Sequence, residues 1–227
     1  MPTTIVPPQH LVIFGRPGSG KSSLAERLNR DDGYLLVRTG EMLRDIVRQG
    51  TILGKRVANH LERGDLVPDE LILELLEIKL RKPESERLLF DGFPRTIGQF
   101  LLLERFEGRL HFKIDCYLEI QLSRQAAVTR MNGRRVCPLC GSTYHLVSKP
   151  PKTLGICDLD DSLLIVRADD SVDVIDFRQN VYDEHVPAIL EHVRQVSPEM
   201  AKTVNGDQAL DAVYAETRRV LGLTSTV

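Results

Sequence analysis

Residues 15–23 read "GRPGSGKSS" and combine three glycines with a lysine that two hydroxyl side chains follow directly. Glycine permits positive φ angles and a close approach of backbone N–H groups to oxyanions, and a following helix directs its positive dipole end at the same place. Lys21 is then expected to contact terminal phosphates, with Ser22 or Ser23 near a magnesium ion. An apolar run before the segment and a helical pattern after it predict a polyphosphate site rather than a solvated turn. The three glycines are Gly15, Gly18 and Gly20.

Two short sequences, "CPLC" and "CDLD", place candidate metal ligands in pairs. The pattern Cys137-x2-Cys140-x16-Cys157-x2-Asp160 has the spacing of a structural zinc site, in which four protein ligands close the coordination shell. A pair of unligated thiols and a redox C-x-x-C are the alternatives, but the glycine after Cys140 favours a knuckle turn. A carboxylate is a harder ligand than a thiolate, so the fourth position stays open to competitors. These competitors are Asp158, Asp161 and His145.

Residues 88–96, "LLFDGFPRT", place Asp91 at the end of an apolar run and Arg95 four residues later. An aspartate at the end of a buried strand can hold the water ligands of a magnesium ion, the usual second partner of a phosphate loop. Asp91 could instead cap a helix or form a turn, or accept a proton from a sugar hydroxyl if that were the phosphate acceptor. The nearby Arg95 makes a phosphate site the more specific interpretation.

Composition and charge narrow the class of protein without selecting a function. The chain has 227 residues, with 30 Lys and Arg against 32 Asp and Glu, so the net charge of −2 provides no global attraction for nucleic acid or an anionic membrane. We therefore expect neither as a partner, and we see neither a spanning apolar segment nor a secretory signal. Four cysteines, two of them in a C-x-x-C, are typical of a reduced, cytoplasmic protein. Cys116, alone in an apolar run, is expected to be an inert core residue.

Strand and helix patterns alternate along the chain, which predicts an α/β fold with a doubly wound parallel sheet. Helical patterns follow Asp69 and run from Val181 to Val196. Two stretches, residues 38–67 and 131–166, break the alternation and are interpreted as insertions at the carboxyl edge of the sheet, where ligands bind in such folds. The predicted strands are residues 11–14, 34–37, 87–90, 115–120 and 201–205.

Five motifs in this order resemble the adenylate kinase family, in the form that carries a long lid. They are "GRPGSGKSS" (15–23), "RTGEMLR" (38–44), "DGFPRTIGQ" (91–99), "RMNGRR" (130–135) and "RADD" (167–170) followed by Arg178. The resemblance extends from about residue 10 to the C-terminus. It implies a P-loop core with a five-stranded parallel sheet, a helical insertion that binds AMP and a lid over ATP. The implied boundaries are 1–37, 68–129 and 171–227 for the core, 38–67 for the AMP insertion and 130–170 for the zinc-knuckle lid.

The resemblance implies reversible, Mg²⁺-dependent transfer of the ATP γ-phosphoryl group to AMP, giving two ADP. The AMP phosphate has a second pKa of about 6 and is already nucleophilic at neutral pH, so no general base is needed. Catalysis then depends on positioning and on cations that stabilise a loose, in-line transition state inside a closed lid; the adenylate kinase lid is itself a standard example of such closure. The implied catalytic cations are Lys21, Arg95, Arg130, Arg134, Arg167 and Arg178.

The resemblance also distributes the binding residues between the two nucleotides. For ATP they are Gly15, Gly18, Ser19, Gly20, Lys21, Ser22, Ser23, Arg130 and Arg134. For AMP they are Thr39, Arg44, Val67, Gly92, Arg95, Gln99, Arg167 and Arg178. Structural Zn²⁺ in the lid is assigned to Cys137, Cys140, Cys157 and Asp160, and Mg²⁺ is held through water by Asp91.

Several features depart from the family pattern and bear on fine specificity. Arg16 stands where a small or neutral residue is usual, Arg38 where serine is common and Ser22 where glycine is usual; Gly98 replaces a common proline. Arg16 could add a phosphate contact or point to solvent. GTP as donor and another nucleoside monophosphate as acceptor stay open.

A nucleotide-switched binding module is the alternative from another class of protein. Such a module would interleave basic and aromatic residues on the knuckle to contact nucleic acid. Residues 137–166 instead carry several acids and a single Tyr, Tyr144. We therefore expect a monomeric enzyme whose partners are ATP and AMP.

Overall fold

A computed structural model describes residues 6–50, 52–63, 67–80, 87–110, 112–166 and 170–223. Five parallel strands form one sheet in the order β2-β3-β1-β4-β7. This confirms the predicted α/β class and parallel sheet, and each predicted strand lies within one residue of the observed one. The strands are β1 (His10–Gly15), β2 (Leu35–Arg38), β3 (Leu88–Asp91), β4 (Cys116–Gln121) and β7 (Ala201–Asn205).

The register of the sheet brings the chemistry-bearing ends of its strands to one edge. Asp91, the last residue of β3, pairs with Ile13 on one side and with Arg38 on the other. Gly15 ends β1 beside Ile120 of β4. Because the strands are parallel, the loops after β1, β2 and β3 all leave from the same edge, where ligands bind in open α/β sheets.

Apolar side chains of alternate residues fill both faces of the sheet. In β1, Val12 and Phe14 contribute to one buried cluster, while Leu11 and Ile13 contribute to the other. This alternation follows from the two-residue period of a strand, and burial on both faces explains the continuous apolar run in the sequence. The sheet is therefore a fixed platform between two helical layers.

Helices cover both faces of the sheet and connect its strands. α1, which follows β1 directly, packs Leu24 and Leu28 into the core cluster that contains Leu11. Its C-terminal cap is Gly33, at φ 75°, where a left-handed residue ends the helix. The helices are α1 (Lys21–Asp32), α2 (Thr39–Arg48), α3 (Ile52–Arg63), α4 (Asp69–Leu80), α5 (Ile97–Leu110), α6 (Arg124–Asn132), α7 (Val172–Val196) and α8 (Leu210–Val220).

Helix α7 begins nine residues before the start of the predicted helical pattern at Val181. Its first turns carry apolar Val174 and Ile175 on a buried face, while Val172 is exposed and Asp173 lies in the first turn. Pro187 lies inside the helix without ending it. A proline removes one backbone hydrogen bond, and the buried apolar side chains around it compensate by packing on the sheet. None of the described helices is long and apolar enough to cross a membrane.

Residues 134–166, here called the knuckle, form a small separate unit. β5 (Arg134–Val136) and β6 (Thr143–His145) pair as an antiparallel hairpin. Isolated bridges add Ile165 to Val136 and Leu163 to Ile156. The buried cluster of the knuckle consists of Cys137, Tyr144 and Cys157, with Leu164 packed against it.

Candidate functional site

One cavity of about 740 Å³ opens at the carboxyl edge of the sheet. The phosphate loop, the start of α2, the end of β3, and helices α6 and α7 line it. Arg167 lies outside the described residues. The predicted nucleotide-site residues that line the cavity are Gly15, Gly18, Ser19, Gly20, Lys21, Ser22, Ser23, Thr39, Arg44, Val67, Asp91, Gly92, Arg95, Gln99, Arg130, Arg134 and Arg178.

The phosphate loop requires glycine at two positions for lack of space as well as for backbone conformation. Gly15 has φ 155°, and a Cβ there would lie 2.6 Å from Ser19 Oγ. Gly18 has φ 91°, and a Cβ there would lie 2.5 Å from the carbonyl oxygen of Ala127. Both approaches are closer than real Cβ atoms show, so a side chain at Gly15 would displace Ser19 within the loop, and one at Gly18 would push the loop away from α6. The pattern of glycines therefore follows from packing.

The N-terminus of α1 presents its backbone donors to the cavity. Its N-cap, Gly20, is left-handed at φ 91° and makes no side-chain cap hydrogen bond. Lys21, Ser22 and Ser23 form the first turn and line the cavity. Backbone N–H groups without an intrahelical acceptor, together with the helix dipole, favour an anion at this position.

The Lys21 ammonium lies within the phosphate loop. Its Nζ donates to the carbonyl oxygens of Gly15 at 2.5 Å and Arg16 at 2.9 Å. Burial lowers the pKa of Lys21 from its ordinary value to about 8; Asp91 opposes this change, and the surrounding guanidiniums reinforce it. A cation held among other cations indicates a place built for a ligand of high negative charge. The guanidiniums are those of Arg178, Arg95 and Arg134.

Ser22 and Asp91 form an oxygen pair in the cavity that suits a hard cation. Ser22 Oγ donates to Asp91 Oδ2 at 2.7 Å, and the Asp91 side chain is buried. A hydroxyl beside a carboxylate is the donor set that Mg²⁺ prefers, usually with several water ligands. Ser22 rather than Ser23 thus occupies the position next to the predicted magnesium ligand.

Two guanidiniums converge over the backbone at the start of α2. A Cβ built on Gly40 would lie 3.4 Å from Arg44 Nη1 and 3.8 Å from Arg95 Nη2. Arg95 Nε donates to the carbonyl oxygen of Gly92 at 2.8 Å, which fixes the direction of its fork. Paired guanidiniums above a glycine form a strong site for a phosphate monoester. The role of Gly40 depends on this three-dimensional contact, and the sequence pattern alone did not single it out.

Gln99 is buried on the side of the cavity away from the phosphate loop. Its Oε1 accepts the backbone N–H of Arg95 at 2.8 Å, and its Nε2 donates to Asp69 Oδ1 at 2.9 Å. These two bonds fix the orientation of the Gln99 amide. They use one of its two N–H donors and one of its two acceptor lone pairs, so one donor and one lone pair remain for the edge of a base. Thr39, the first residue of α2, donates to the carbonyl oxygen of Gly92 at 3.0 Å.

Asp170 connects the knuckle to helix α7 and was missed as a site residue by the sequence analysis. Its side chain is 1% exposed and accepts a bidentate ion pair from Arg134, with Nε at 2.7 Å from Oδ2. Arg178 Nη1 lies 3.6 Å from the same carboxylate. The "RADD" motif contained the signal, since two acids beside several arginines of one site are positioned to orient them.

Arg130 lies at the opposite end of the cavity from Gln99. Its Nη1 donates to the carbonyl oxygen of Gly206 at 2.9 Å, and its Nη2 lies 3.6 Å from Asp207. Gln208 and Leu210, which follow in the chain, also line the cavity. The cavity therefore has one end on each side of the phosphate loop: residues after β2 and β3 line one end, and residues after β7 line the other.

The knuckle brings the four predicted zinc ligands together. One ligand atom from each of Cys137, Cys140, Cys157 and Asp160 lies within 4.8 Å of all the others. Cys137 Sγ is 3.1 Å from Asp160 Oδ2, and the sulfurs of Cys140 and Cys157 are 3.6 Å apart. Three thiols and one carboxylate in a closed cluster fit a tetrahedral structural Zn²⁺ site.

Two turns of the same shape carry the ligand pairs. Gly141 N–H donates to the Cys137 carbonyl at 3.1 Å, and Asp161 N–H donates to the Cys157 carbonyl at 3.1 Å. Both residues are left-handed, at φ 75° for Gly141 and 57° for Asp161. Asp161 therefore occupies the turn position that glycine fills in the first pair, which explains why it is not a ligand.

The other competing candidates, His145 and Asp158, do not belong to the four-residue cluster. His145 Nδ1 accepts the backbone N–H groups of Val147 and Ser148, each at 3.1 Å. Asp158 Oδ1 accepts the backbone N–H of Lys152 at 2.8 Å. Asp160, which does belong to it, is therefore the candidate fourth ligand. Cys116 is buried in β4, and burial raises the pKa of its thiol to about 12, as expected of an inert core cysteine.

Arg16 neither contacts the phosphate position nor points to solvent, so both sequence expectations for it were wrong. Its Nη2 pairs with Asp183 of α7 at 2.5 Å, and its Nε donates to the Leu122 carbonyl at 3.1 Å. Arg38 lines the cavity, but its guanidinium is paired with two carboxylates, Glu26 at 3.3 Å and Glu41 at 3.5 Å.

Comparisons with known proteins agree with this geometry. The family model for adenylate kinase matches residues 13–197. The adenylate kinase of Bacillus subtilis (strain 168) is 37% identical over 214 residues, which cover 94% of this chain and 98% of that protein. The adenylate kinase of Pyrococcus furiosus is 34% identical over 212 residues, covering 93% of this chain and 95% of that protein. The phosphate loop, the two-ended cavity and these full-length matches lead to one conclusion: the chain belongs to the adenylate kinase family.

Proposed function

We propose that the protein transfers the γ-phosphoryl group of ATP to AMP, reversibly and with Mg²⁺, to give two ADP. The observation that carries this proposal is a single cavity lined by the phosphate loop and, on either side of it, by residues after β2 and β3 and by residues after β7. A simple hydrolase needs room for one nucleotide and a water molecule. The second end, with Gln99 and the guanidiniums of Arg44 and Arg95, instead fits a phosphate acceptor that has its own base.

The phosphate loop and the α1 N-terminus bind the ATP polyphosphate. Backbone donors hold the oxygens, and Lys21 exchanges its contacts with the Gly15 and Arg16 carbonyls for the transferred phosphoryl group. Ser22 and Asp91 hold the Mg²⁺ ion directly or through water. Mg²⁺ bound with ATP neutralises part of the phosphate charge. The remaining ATP contacts come from Gly18, Ser19, Gly20, Ser23, Arg130 and Arg134.

AMP binds at the end of the cavity nearest α2. Arg44 and Arg95 hold its phosphate in the fork above Gly40, and Gln99 recognises the adenine edge. The phosphate dianion attacks without a general base, because its second pKa of about 6 leaves it ionised at neutral pH. Asp91 is therefore assigned to the metal rather than to proton transfer. Further AMP contacts come from Thr39, Val67, Gly92, Arg167 and Arg178.

The remaining arginines stabilise the charge that spreads over the transferred group. Arg178 and Arg134 share the buried Asp170, which fixes their guanidiniums relative to each other. Catalysis by such fixed cations requires no reorganisation during transfer. Arg130 and Arg167 complete the set. Closure of residues 130–170 over both nucleotides would exclude water, the competing acceptor.

Zn²⁺ binds Cys137, Cys140, Cys157 and Asp160 and lets the knuckle move as one body during closure. Thiolate ligands require reduced cysteines, which supports a cytoplasmic location. We also propose that the protein is a monomer. It divides the chain into core (1–37, 68–129 and 171–227), AMP insertion (38–67) and lid (130–170).

The test is phosphoryl transfer from Mg-ATP to a panel of AMP, GMP, CMP and UMP, with the nucleoside diphosphates separated and quantified. The proposal expects ADP from AMP at a rate well above that of the other three acceptors. Faster transfer to GMP, CMP or UMP would reassign the acceptor site to another monophosphate. ATP turnover that is independent of every monophosphate would overturn the proposal. The same assay with GTP as donor decides the selectivity of the donor site.

A further inference from the structure

Arg16 is the least expected residue of the phosphate loop, and its side chain makes an unusual number of long-range contacts. The guanidinium reaches helix α7, where Nη1 lies 3.4 Å from Gln179 Oε1 and Nη2 lies 2.5 Å from Asp183 Oδ1. Its carbon Cζ lies 4.7 Å from the centre of the Tyr182 ring. Three side chains on one face of α7 thus hold one loop side chain, although all are more than 160 residues away in sequence.

The backbone of Arg16 contributes to the active face of the same loop. Its carbonyl oxygen accepts the Lys21 ammonium at 2.9 Å and the backbone N–H of Ser19 at 2.9 Å. The residue therefore has two sides: its main chain holds the lysine of the phosphate loop, and its side chain is fixed to another element. Because the guanidinium and the carbonyl oxygen belong to the same residue, a shift of the Arg16 side chain would also move the carbonyl that holds Lys21.

Gln179 completes the connection from the side of the helix. It is fully buried, its Oε1 faces Arg16, and its Nε2 donates to the carbonyl oxygen of Pro17 at 3.0 Å. A buried amide whose two ends both bind the phosphate loop fixes the loop against α7 in one position, since losing either partner would leave a polar group unsatisfied. Arg178, the preceding residue in the chain, lines the cavity.

Further charges hold the same face of α7 in place. Arg124, at the start of α6, pairs with Asp183 at 3.0 Å and with Asp176 at 2.5 Å. The Arg16 guanidinium, with help from Arg124, holds the pKa of the Asp183 carboxyl below its usual range. Asp176, Gln179 and Asp183 are spaced by three and four residues, so they lie on one side of the helix.

We propose that Arg16 is a positioning residue, which, together with Gln179, sets the distance between Lys21 on the phosphate loop and Arg178 on helix α7. Arg16 itself does not touch the nucleotide. Its effect on phosphoryl transfer would pass through these two cations, which must act on the transferred group at the same time. The inference rests on the proposed phosphoryl transfer from ATP to AMP.

The test is a double-mutant cycle on the rate of transfer from ATP to AMP. Arg16→Met keeps the aliphatic stem and removes the guanidinium, and Arg178→Met removes the cation on which Arg16 is proposed to act. We expect Arg16→Met to lower kcat by about tenfold to a hundredfold, because small errors in position are costly, with a much smaller change in the KM of AMP. In the Arg178→Met background the same substitution should change kcat less than about threefold.

Gln179→Leu breaks the same contact from the helix and serves as the second variant. It should lower kcat about as much as Arg16→Met does, and the two substitutions together should cost little more than either alone. Arg30→Met is the matched control, because Arg30 is an exposed arginine of α1 that pairs only with its neighbour Asp31 among the described contacts, and its kcat should be unchanged.

Several results would overturn the inference, and they are separate from a failure of the proposed function. Equal losses from Arg16→Met in the wild-type and Arg178→Met backgrounds would show that Arg16 acts independently of Arg178. An unchanged kcat for Arg16→Met would show that the contact has no catalytic effect. Thermal midpoints of all variants identify loss of folding, in which case Arg16→Lys replaces Arg16→Met in the cycle. Absence of transfer in the wild-type protein would instead contradict the proposed function.

Discussion

The cavity edge of the sheet and the knuckle differ in how much apolar surface each buries. The sheet lies between two large clusters that include all five parallel strands. The buried apolar cluster described in the knuckle has three members, Cys137, Tyr144 and Cys157, and two of these are candidate metal ligands. Several of its large apolar side chains are exposed, among them Leu139, Val147, Leu154, Leu159 and Leu163.

The chain therefore positions its functional groups by two different means. At the sheet edge, burial of apolar side chains fixes the strand ends, so charged groups such as Lys21 can be held in unfavourable surroundings. In the knuckle, a buried cluster of three residues is too small to order about thirty others, so we expect metal coordination to supply the missing stability. Substitutions of charged groups at the sheet edge should therefore lower activity and leave the fold intact, whereas loss of a knuckle ligand should disrupt local structure and leave the core intact.

The largest effect is expected from Lys21→Met, which should abolish function and leave the fold intact. Removing one preorganised cation from the transferred phosphoryl group should lower kcat by about a thousandfold. The thermal midpoint should stay equal or rise, because burial and neighbouring cations disfavour the charged lysine. Kinetics and thermal unfolding of the same samples check this, with the exposed Lys113→Met as control. A strong fall in thermal midpoint would show that the lysine is structural.

Cys157→Ser should have the opposite effect, loss of local structure in the knuckle with an intact core. Bound zinc should fall to near zero, because three ligands hold Zn²⁺ much more weakly than four. Limited proteolysis should then cut within residues 134–166 while the core fragments stay resistant, and chelation of the wild-type metal should give the same pattern. Cys116→Ala, in the core, should keep both the zinc and the protease resistance. Equal sensitivity of core and knuckle would contradict the comparison.

A smaller effect is expected from Gln99→Leu, which changes recognition at the sheet edge without changing the reacting groups. The KM for AMP should rise about tenfold, the range expected for the loss of a buried hydrogen bond, and kcat should change less. Discrimination against other monophosphates should weaken at the same time. The exposed Gln195→Leu is the control. An unchanged KM for AMP would place base recognition elsewhere in the cavity.

The smallest expected effect is a change in the free energy of unfolding with pH. Lys21 has a pKa of about 8 in the folded protein against an ordinary value of 10.5, so it destabilises the fold fully below about pH 8. As the pH rises through 8 toward 10.5, the folded state loses this proton before the unfolded state does, and the penalty is relieved. Between pH 8 and 10.5, the free energy of unfolding of the wild type should therefore rise relative to that of Lys21→Met. Parallel curves for the two proteins would show that the lysine is not perturbed.

The sequence predicted those parts of the site that are contiguous in the chain. The phosphate loop, Asp91 and the two ligand pairs of the knuckle each depend on residues a few positions apart, so motif and local context are enough. The five strands could be predicted because a strand that is buried on both faces is a short, continuous apolar run. The predicted start of helix α7 was nine residues too late, because its first turns mix buried Val174 and Ile175 with exposed Val172, and the buried face is not evident from the sequence.

Contacts between distant residues could not be predicted in the same way. Asp170 lies beside Arg134 because the hairpin returns the chain to the start of α7, and Arg16 meets Asp183 because α7 crosses behind the phosphate loop. The "RADD" motif marks Asp170 as a candidate, but the local sequence of neither residue identifies its partner. The exclusion of Asp161 as a ligand also required the structure, because its left-handed backbone is visible only in the folded turn.

The central claim, direct transfer between two nucleotides in one cavity, is tested most directly by following the γ-phosphate of ATP. The protein is incubated with γ-labelled ATP, Mg²⁺ and unlabelled AMP, and the labelled products are separated at early times. The account predicts that the label appears in the β-position of ADP and that inorganic phosphate stays at the background level. Label released mainly as inorganic phosphate, at a rate that does not depend on AMP, would contradict it.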